Sequence, residues 1–190
     1  YTPWATLPEP LVRNSVTCMS PTKPFNLAGI QIANVYALDR EVLAKMDRAL
    51  NDNECCDVNV FGVTALKAAY GKAGEWLDQL REYLLHNAYT VYCFLEDELP
   101  GVVASPLEGT YLMWLDVRSR MWGDAPVLPG QTQILADRLE NEYGVKLSCG
   151  SIYGAAGEGF LRLNIACPRH MLHEGLCRLA EGLRHKRFSY

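Results

Sequence analysis

The sequence lacks several patterns that would assign it to common protein classes. Its seven cysteines form no Cys-x-x-Cys pair and no cysteine–histidine cluster with zinc-site spacing, so no metal site is expected. No apolar run approaches the roughly 20 residues that a membrane-spanning helix needs. The net charge is −4, and no basic stripe with interleaved aromatic residues is present, so nucleic-acid binding is not expected either.

Other absences restrict the compartment and the organisation of the chain. An odd number of cysteines without a disulfide-scaffold spacing, two of them adjacent at Cys55 and Cys56, indicates reduced thiols in a cytoplasmic protein. No signal peptide, internal repeat or low-complexity tract is visible. The 190 residues suffice for one large domain or two small ones with a sizeable core.

The pattern of apolar residues in the first part of the chain predicts strands followed by helices. Val16 to Met19 has the composition of the end of a buried strand, and Ile30 to Ala37 that of a second one. Asp39 is a candidate N-cap for a helix with an apolar stripe. Val58 to Tyr70 is predicted as a further helix, with most of its apolar residues facing inward.

One long helix is predicted from Glu75 to Leu99, because leucines and other apolar residues recur three or four positions apart, and Pro100-Gly101 ends it. We expect this helix to be the domain boundary. Beyond it the pattern alternates between strands and helices, which is typical of α/β or α+β layering. The expected segments are strands at 102–105, 111–117, 145–148 and 160–167, a loop at 118–130, and helices at 131–143 and after Pro168.

The segment that carries most chemical information runs from Ser20 to Gly29 and contains Lys23 between the hydroxyls of Ser20 and Thr22. Burial disfavours the charged form of a lysine, and an uncharged amine can form a Schiff base with an aldehyde. The flanking hydroxyls could bind a phosphate, so the segment indicates pyridoxal 5′-phosphate (PLP). The same residues also fit the Ser-x-x-Lys motif of β-lactamases, but the accompanying Ser-Asp-Asn and Lys-Thr-Gly motifs are missing. A solvated lysine is the third reading.

A second candidate is Arg162, within the predicted strand 160–167. Alternation puts Leu161 and Leu163 on a core face, and Phe160, Arg162 and Asn164 on the opposite face. A guanidinium presents a planar fork of donors that matches a carboxylate, so the α-carboxylate of an amino acid is a natural ligand. A solvent-facing arginine or a structural salt bridge is the alternative. The glycine-rich segment 151–159 before this strand is expected to be a mobile edge of the cleft.

These segments together resemble the fold-type I PLP-dependent enzymes, the class I/II aminotransferase superfamily. The similarity is greatest to the MalY and PatB branch of cystathionine β-lyase-like proteins. The matching stretches follow the same order along the chain: Tyr1-Thr2-Pro3-Trp4, Ser20 to Gly29, Gly109 to Asp116, Gly157 to Asn164, and Ile165-Ala166-Cys167-Pro168.

The resemblance implies a role for particular residues. Lys23 would form the Schiff base with PLP and move the substrate α-proton, Ser20 would bind the cofactor phosphate, and Thr22 would be a neighbouring hydroxyl. Arg162 would clamp the substrate α-carboxylate. One position departs from many aminotransferases, which have a phosphate-binding arginine eight residues after the lysine, where this chain has Gln31.

The resemblance also implies an α/β fold that forms only part of the family architecture. Residues 1–74 would be the C-terminal part of the large PLP-binding domain, 75–99 a linking helix, and 100–190 the small C-terminal domain. Superfamily members are about twice as long, so we expect this chain alone to lack a complete active site. The implied activity is C–S β-elimination from an amino acid, with transamination by the same residues or a non-catalytic module as alternatives. A homodimer is implied for the intact enzyme.

Overall fold

The computed structural model describes residues 2–54 and 56–184. Tyr1, Cys55 and residues 185–190 lie outside the described residues, so the expectations that involve Tyr1 and Cys55 are not addressed by the structure. The chain divides into two compact units, Tyr1–Arg81 and Glu82–Tyr190. Both helices and strands are present, in agreement with the expected mixed α/β class.

The first unit contains a small two-stranded sheet and three helices. Strand β1 (Thr17–Met19) pairs antiparallel with β2 (Asn34–Tyr36), with Cys18 opposite Val35. The chain between them carries Lys23 and a short 3-10 helix at Ala28–Ile30. The helices are α1 (Glu9–Val12), α2 (Arg40–Asp52) and α3 (Gly62–Lys72).

The two strands differ from the prediction in burial and in length. Cys18 and Met19 are exposed, so the expectation of a buried strand at 16–19 is wrong for this chain. The second strand begins at Asn34 and not at Ile30, because the 3-10 helix ends in Gln31 with a left-handed backbone (φ 51°). That conformation turns the chain out of the extended region before β2 starts.

Asp39 caps α2 as predicted, because its Oδ1 accepts hydrogen bonds from the amides of Glu41 at 2.8 Å and Val42 at 3.2 Å. The predicted helix at 58–70 is shifted towards the C-terminus. The side chain of Asn59 accepts from the Phe61 amide at 2.9 Å and forms a local turn, after which α3 begins at Gly62. Val60 and Val63 are exposed, so the prediction that they face inward is wrong.

Helix α4 (Gly74–Glu98) confirms the predicted long helix to within one residue at each end. It has 25 residues, and at a rise of about 1.5 Å per residue it is roughly 37 Å long. Its end is set by Pro100 and by Gly101, which has a positive φ of 92°. The division between the two compact units falls within this helix.

The second unit is a four-stranded antiparallel sheet packed with helices. The strand order is β3 (Val103–Ala104), β4 (Leu112–Asp116), β6 (Phe160–Asn164) and β5 (Ser148–Cys149). The helices are α5 (Arg118–Trp122), α6 (Gln131–Tyr143) and α7 (Arg169–Arg184). The core is formed by fully buried side chains from all of these layers, among them Val91, Leu115, Leu135, Leu139, Leu161, Ile165, Leu179 and Leu183.

Several predicted bounds in this unit are confirmed and others are corrected. Helix α6 has the predicted bounds, and α7 follows Pro168 as predicted and buries Leu172, Leu176, Leu179 and Leu183. The predicted loop at 118–130 contains α5, which starts where the Arg118 amide donates to Asp116 Oδ1 at 3.0 Å. Strand β6 ends at Asn164 and not at Cys167, because Asn164 Oδ1 accepts from the Ala166 amide at 2.8 Å and turns the chain.

Three properties of the described residues bear on function. Their cysteines are free thiols, in agreement with the prediction for those positions. Across residues 2–54 and 56–184, no helix combines the length and apolarity required to cross a membrane. Within the same ranges, no group of three or more histidine, cysteine, aspartate or glutamate side chains could hold a metal ion.

Candidate active site

The turn after β1 brings the hydroxyls of Ser20 and Thr22 together. Their oxygens are 2.8 Å apart, and Ser20 Oγ also accepts from the Thr22 amide at 3.2 Å. Ser20 Oγ in turn donates to the carbonyl of Ile32 at 2.7 Å. The Thr22 carbonyl accepts from the Leu27 amide at 2.8 Å, which closes the turn around Lys23. The hydroxyls therefore belong to a hydrogen-bonded turn that joins the two sides of the β1–β2 connection.

A pocket of about 330 Å³ lies at this turn. It collects the three residues that the sequence singled out together with the end of the 3-10 helix. Its lining is formed by Ser20, Thr22, Lys23, Ala28, Gln31, Ile32 and Ala33. One amine and two hydroxyls at one pocket are the donor types that an aldehyde bearing a phosphate requires.

The residue types of this pocket fit an aldehyde that bears a phosphate, but the hydrogen bonds of the hydroxyls would have to be rearranged. Because Ser20 gives its single proton to Ile32, the proton of Thr22 is the one that lies between the two hydroxyls. A phosphate bound here would have to take over these donors. Gln31 lines the pocket where many aminotransferases carry an arginine, so Lys23 is the only cation among the described lining residues.

The side chain of Lys23 is exposed. The premise that this lysine is buried is therefore wrong for this chain. The position of Lys23 beside Ser20 and Thr22 does not depend on that premise. The amine is accessible at the pocket.

Arg162 lies in the middle of the sheet of the second unit, between two neighbouring strands. It is directly opposite Trp114 on β4 and directly opposite Ser148 on β5. Opposite residues of an antiparallel pair project from the same face of the sheet. The alternation predicted from the sequence is confirmed over β6, since Leu161 is buried while Arg162 is half-buried on the other face.

The guanidinium of Arg162 is fixed by two contacts. Its Nη2 donates to Ser148 Oγ at 3.2 Å, and its Cζ lies 4.7 Å from the centroid of the Tyr153 ring. The Tyr153 ring contacts the Trp114 ring edge to face, with the centroids 5.4 Å apart. The aromatic partner predicted from the strand was Phe160, but that ring lies under Arg118 at 4.7 Å.

Arg162 Nε is buried and has no hydrogen-bond partner among the described residues. A buried charged donor without a partner costs more than a neutral one, of the order of 1–3 kcal/mol or above. A carboxylate that accepts from Nε and from an adjacent Nη nitrogen would remove this cost in the planar geometry that guanidinium favours. The arrangement therefore leaves Arg162 with an unused donor that a carboxylate could accept from.

Sequence reasoning did not identify Ser148, Tyr153 and Trp114 as neighbours of Arg162. Trp114 could have been found, because it lies on a strand that was predicted and alternation puts it on the same face as Leu112 and Asp116. A pocket of about 300 Å³ on this face is lined by Ser105, Trp114, Tyr153, Ala156, Gly157 and Phe160. Tyr111, just before β4, packs against the core.

The glycine-rich segment before β6, expected to be a mobile edge of the cleft, has a regular backbone in part of its length. It forms two 3-10 turns, Gly150–Tyr153 and Ala155–Gly157. The backbones of Gly150 and Gly157 approach so closely that a Cβ on Gly157 would lie 2.1 Å from the Gly150 oxygen. Glu158 Oε1 accepts from the Thr132 amide at 2.8 Å, and Thr132 Oγ1 accepts from the Gly159 amide at 2.6 Å. These contacts hold the segment that carries Tyr153.

The candidate residues thus form two groups. Ser20, Thr22 and Lys23 share a pocket in the first unit, and Arg162 with its aromatic and hydroxyl neighbours lies in the second unit. The first group offers an amine with hydroxyls, and the second offers a cation for a carboxylate.

Comparison with known proteins finds relatives among both characterised sequences and solved structures. Cystathionine beta-lyase PatB of Bacillus subtilis (strain 168) is 38% identical over 183 residues, which cover 96% of this chain and 45% of PatB. The structure of cystalysin from Treponema denticola, which contains PLP, has a TM-score of 0.84 at 26% identity and covers 93% of this chain and 43% of cystalysin. The PLP-bound C-S lyase from Staphylococcus hominis has a TM-score of 0.78 at 27% identity, covering 95% and 45%.

This chain spans less than half the length of these relatives. The described fold is accordingly the corresponding portion of the PLP-dependent aminotransferase and C-S lyase fold. The family model described as aminotransferase class I and II matches residues 7–179, which is most of the sequence. The chain therefore belongs to the aminotransferase class I and II family.

Proposed function

We propose that this chain contributes the cofactor lysine and the substrate carboxylate site of a PLP-dependent enzyme that acts on amino acids. The observation that carries the proposal is the convergence of Lys23, Ser20 and Thr22 on one pocket. The similarity to PatB over 96% of the chain supports it. Residues 1–74 would belong to the large domain, 75–99 would link the domains, and 100–190 would form the small domain.

Each residue has a defined task in this proposal. When PLP is bound, Lys23 Nζ would hold its aldehyde, and the amine once freed would take the proton from the substrate Cα. Ser20 and Thr22 would hold the cofactor phosphate after exchanging their present hydrogen bonds to each other and to Ile32. Arg162 would donate hydrogen bonds to the substrate α-carboxylate and so fix the orientation of the Cα–H bond. PLP, when bound, supplies an electron sink for the pair left at Cα.

The reaction we propose is β-elimination from a cysteine thioether. The Cα–H bond and the Cβ–S bond break, and the sulfur leaves as a thiol with one proton. The three-carbon remainder takes up water and yields pyruvate and ammonia. The names of the relatives, cystathionine beta-lyase and C-S lyase, support this choice over transamination. We also propose that the intact enzyme is a homodimer.

Transamination is the second candidate, since the same lysine and arginine serve both reactions. It is supported by a match of 39% identity over 57 residues to LL-diaminopimelate aminotransferase of Dehalococcoides mccartyi, although that match covers only 30% of this chain. Pyruvate and thiol released from a cysteine thioether would favour the lyase. Formation of a keto acid from the intact side chain would favour the aminotransferase.

The test is reduction of the PLP-loaded protein with borohydride, followed by peptide mass spectrometry. We expect a pyridoxyl adduct on Lys23 that disappears in Lys23→Ala. Lys45→Ala is a matched control, because Lys45 is exposed on α2 of the same unit and outside the pocket. An adduct pattern that is the same in Lys23→Ala and in the wild type would contradict the proposal and leave a non-catalytic module with this fold.

A further inference from the structure

The guanidinium of Arg162 is in contact with the aromatic ring of Tyr153. The Tyr153 ring faces the guanidinium at 4.7 Å from its Cζ. The ring comes from the 3-10 turn Gly150–Tyr153 and not from the strand that carries Arg162. The contact therefore joins the segment before β6 to the sheet.

The ring is itself held in place from a second direction. Trp114, directly opposite Arg162 on β4, contacts Tyr153 edge to face at 5.4 Å and an interplanar angle of 82°. This geometry is a favoured arrangement of two aromatic rings. The turn that carries Tyr153 is fixed by the close approach of Gly150 and Gly157. Tyr153, although 50% exposed, is thus contacted by Trp114 on one side and by Arg162 on another.

The contact restricts where a ligand can approach the guanidinium. One face of the guanidinium plane is covered by the Tyr153 ring, and one Nη2 hydrogen is used by Ser148 at 3.2 Å. The buried Nε still lacks a partner among the described residues. A carboxylate can then be bound in the plane of the guanidinium, which is the bidentate geometry.

We infer that Tyr153 is a positioning residue that holds the Arg162 guanidinium in the plane required for the substrate carboxylate. The inference rests on the proposed role of Arg162. The ring acts through its face, by a cation–π contact, and not through its hydroxyl. Without this contact Arg162 would have additional rotamers. Ordering its side chain on binding would then cost conformational entropy and weaken the binding of the carboxylate.

The experiment measures amino acid binding to the intact, PLP-loaded enzyme by calorimetry, together with KM and kcat, for Tyr153→Ala and Tyr153→Phe. From the usual strength of a cation–π contact, Tyr153→Ala should weaken binding about three- to thirtyfold. We expect KM to rise by a larger factor than kcat falls. Tyr153→Phe, which keeps the ring, should stay within about twofold of the wild type, since the contact uses the ring face.

Two controls separate positioning from a general structural effect. Tyr83→Ala is a matched control, because Tyr83 lies under Arg169 at 4.9 Å in the same way but outside the candidate site. It should leave amino acid binding unchanged. In an Arg162→Ala background, Tyr153→Ala should change binding by less than about twofold, because coupled residues are not additive.

Some outcomes would overturn the inference. If Tyr153→Phe weakens binding as much as Tyr153→Ala, the hydroxyl and not the ring face is what matters. Equal effects of Tyr153→Ala with and without Arg162 would mean that the two residues act independently. Binding that shows the expected coupling without release of pyruvate or keto acid would support Tyr153 as a positioning residue while contradicting the proposed enzymatic function.

Discussion

Arg162 and Lys23 differ in how far the chain itself prepares them for their proposed tasks. Arg162 is half-buried, flanked by Trp114 and Ser148, and covered by Tyr153. Lys23 is exposed at a pocket whose hydroxyls are bonded to each other. The neighbours of Arg162 that would form the proposed carboxylate site all lie within the second unit, whereas the proposed chemistry of Lys23 needs groups that the described residues do not supply.

At this scale we predict that Arg162→Ala weakens amino acid binding by about 2 kcal/mol or more, roughly thirtyfold, because a charged hydrogen-bonding partner of the carboxylate is lost. Calorimetry on the PLP-loaded protein measures the effect. Arg169→Ala is the matched control, since Arg169 also lies over a tyrosine ring, and it should leave binding unchanged. Equal losses in both variants would argue against a specific carboxylate site at Arg162.

Glu158 gives a prediction about pH. Burial acts to raise the pKa of the Glu158 carboxyl, but hydrogen bonds from Thr132, Gly130 and Ser151 outweigh it and lower the pKa below its ordinary value of 4.5. A lowered pKa in the folded state means that the ionised carboxylate stabilises the fold above the unfolded pKa. This contribution is lost as the pH falls through the folded pKa.

We therefore expect Glu158→Gln to lower the free energy of unfolding by about 1 kcal/mol at neutral pH, the usual value of a helix N-terminal cap. The difference from the wild type should shrink as the pH falls below the ordinary glutamate range. Urea unfolding at a series of pH values measures it. A difference that is constant from neutral to acidic pH would exclude this carboxylate as the cause.

At the scale of elements, a buried polar side chain of α4 binds the backbone that follows β6. Asn87 is fully buried, and its Nδ2 donates to the carbonyls of Ile165 at 2.9 Å and Cys167 at 3.1 Å. These carbonyls follow β6, where the chain has left the sheet ladder. The asparagine thus satisfies backbone groups that no strand partner reaches, which explains a polar residue on an otherwise apolar helix face.

We predict that Asn87→Leu destabilises the protein by about 1–3 kcal/mol, because two buried carbonyls lose their donor. Chemical unfolding followed by circular dichroism gives the value. Asn141→Leu is a suitable control, since Asn141 is exposed on α6. An Asn87→Leu variant as stable as the control would mean that another donor replaces the asparagine.

Two glycines of α7 give opposite predictions. A Cβ on Gly175 would meet nothing within 4 Å, so Gly175→Ala should stabilise the helix by about 0.5–1 kcal/mol. A Cβ on Gly182 would lie 2.4 Å from Leu139 Cδ2 and 3.1 Å from Tyr143 Cδ2, so Gly182→Ala should destabilise the α6–α7 contact by about 1–3 kcal/mol. Thermal unfolding of the two variants tests this, since Tm should rise for Gly175→Ala and fall for Gly182→Ala. Tm shifts of the same sign would contradict this packing.

At the scale of the whole molecule, the two units differ in the size of their cores. The extended cluster of buried residues comes from Ala88 to Leu183, all within the second unit. In the first unit the buried apolar side chains among the described residues are Val12, Ile32, Ala37 and Ala69. Its sheet has two short strands, and an isolated two-stranded sheet has marginal stability in water.

Hydrogen exchange of the 190-residue chain should reflect this difference. We expect the amides of β4 and β6 to exchange at least about a hundredfold more slowly than those of β1 and β2, because opening of the second unit requires exposure of the large core. Mass spectrometry of peptides from each unit measures the rates. Comparable protection of both sheets would show that the first unit has stability that its described core does not explain.

The sequence by itself determined the long helix α4, the helices α6 and α7, and which side chains of β6 lie on its buried face. Periodicity is a local property of the chain. It also drew attention to Lys23 and Arg162 through their local motifs. It misplaced the strand before Asn34 and the start of α3, because single residues such as Gln31 and Asn59 turn the backbone there. Local turns of this kind leave no periodic signal.

Only the tertiary structure decided which side chains surround the candidate site. Ser148 lies 14 residues from Arg162, and Glu158 lies 26 residues from the Thr132 amide that it caps. Sheet register and the packing of the segment before β6 create these contacts, and no repeat along the chain encodes them. The chemistry at Arg162 was therefore predictable from its residue type, whereas its fixed orientation follows from strands and turns that meet only in the folded chain.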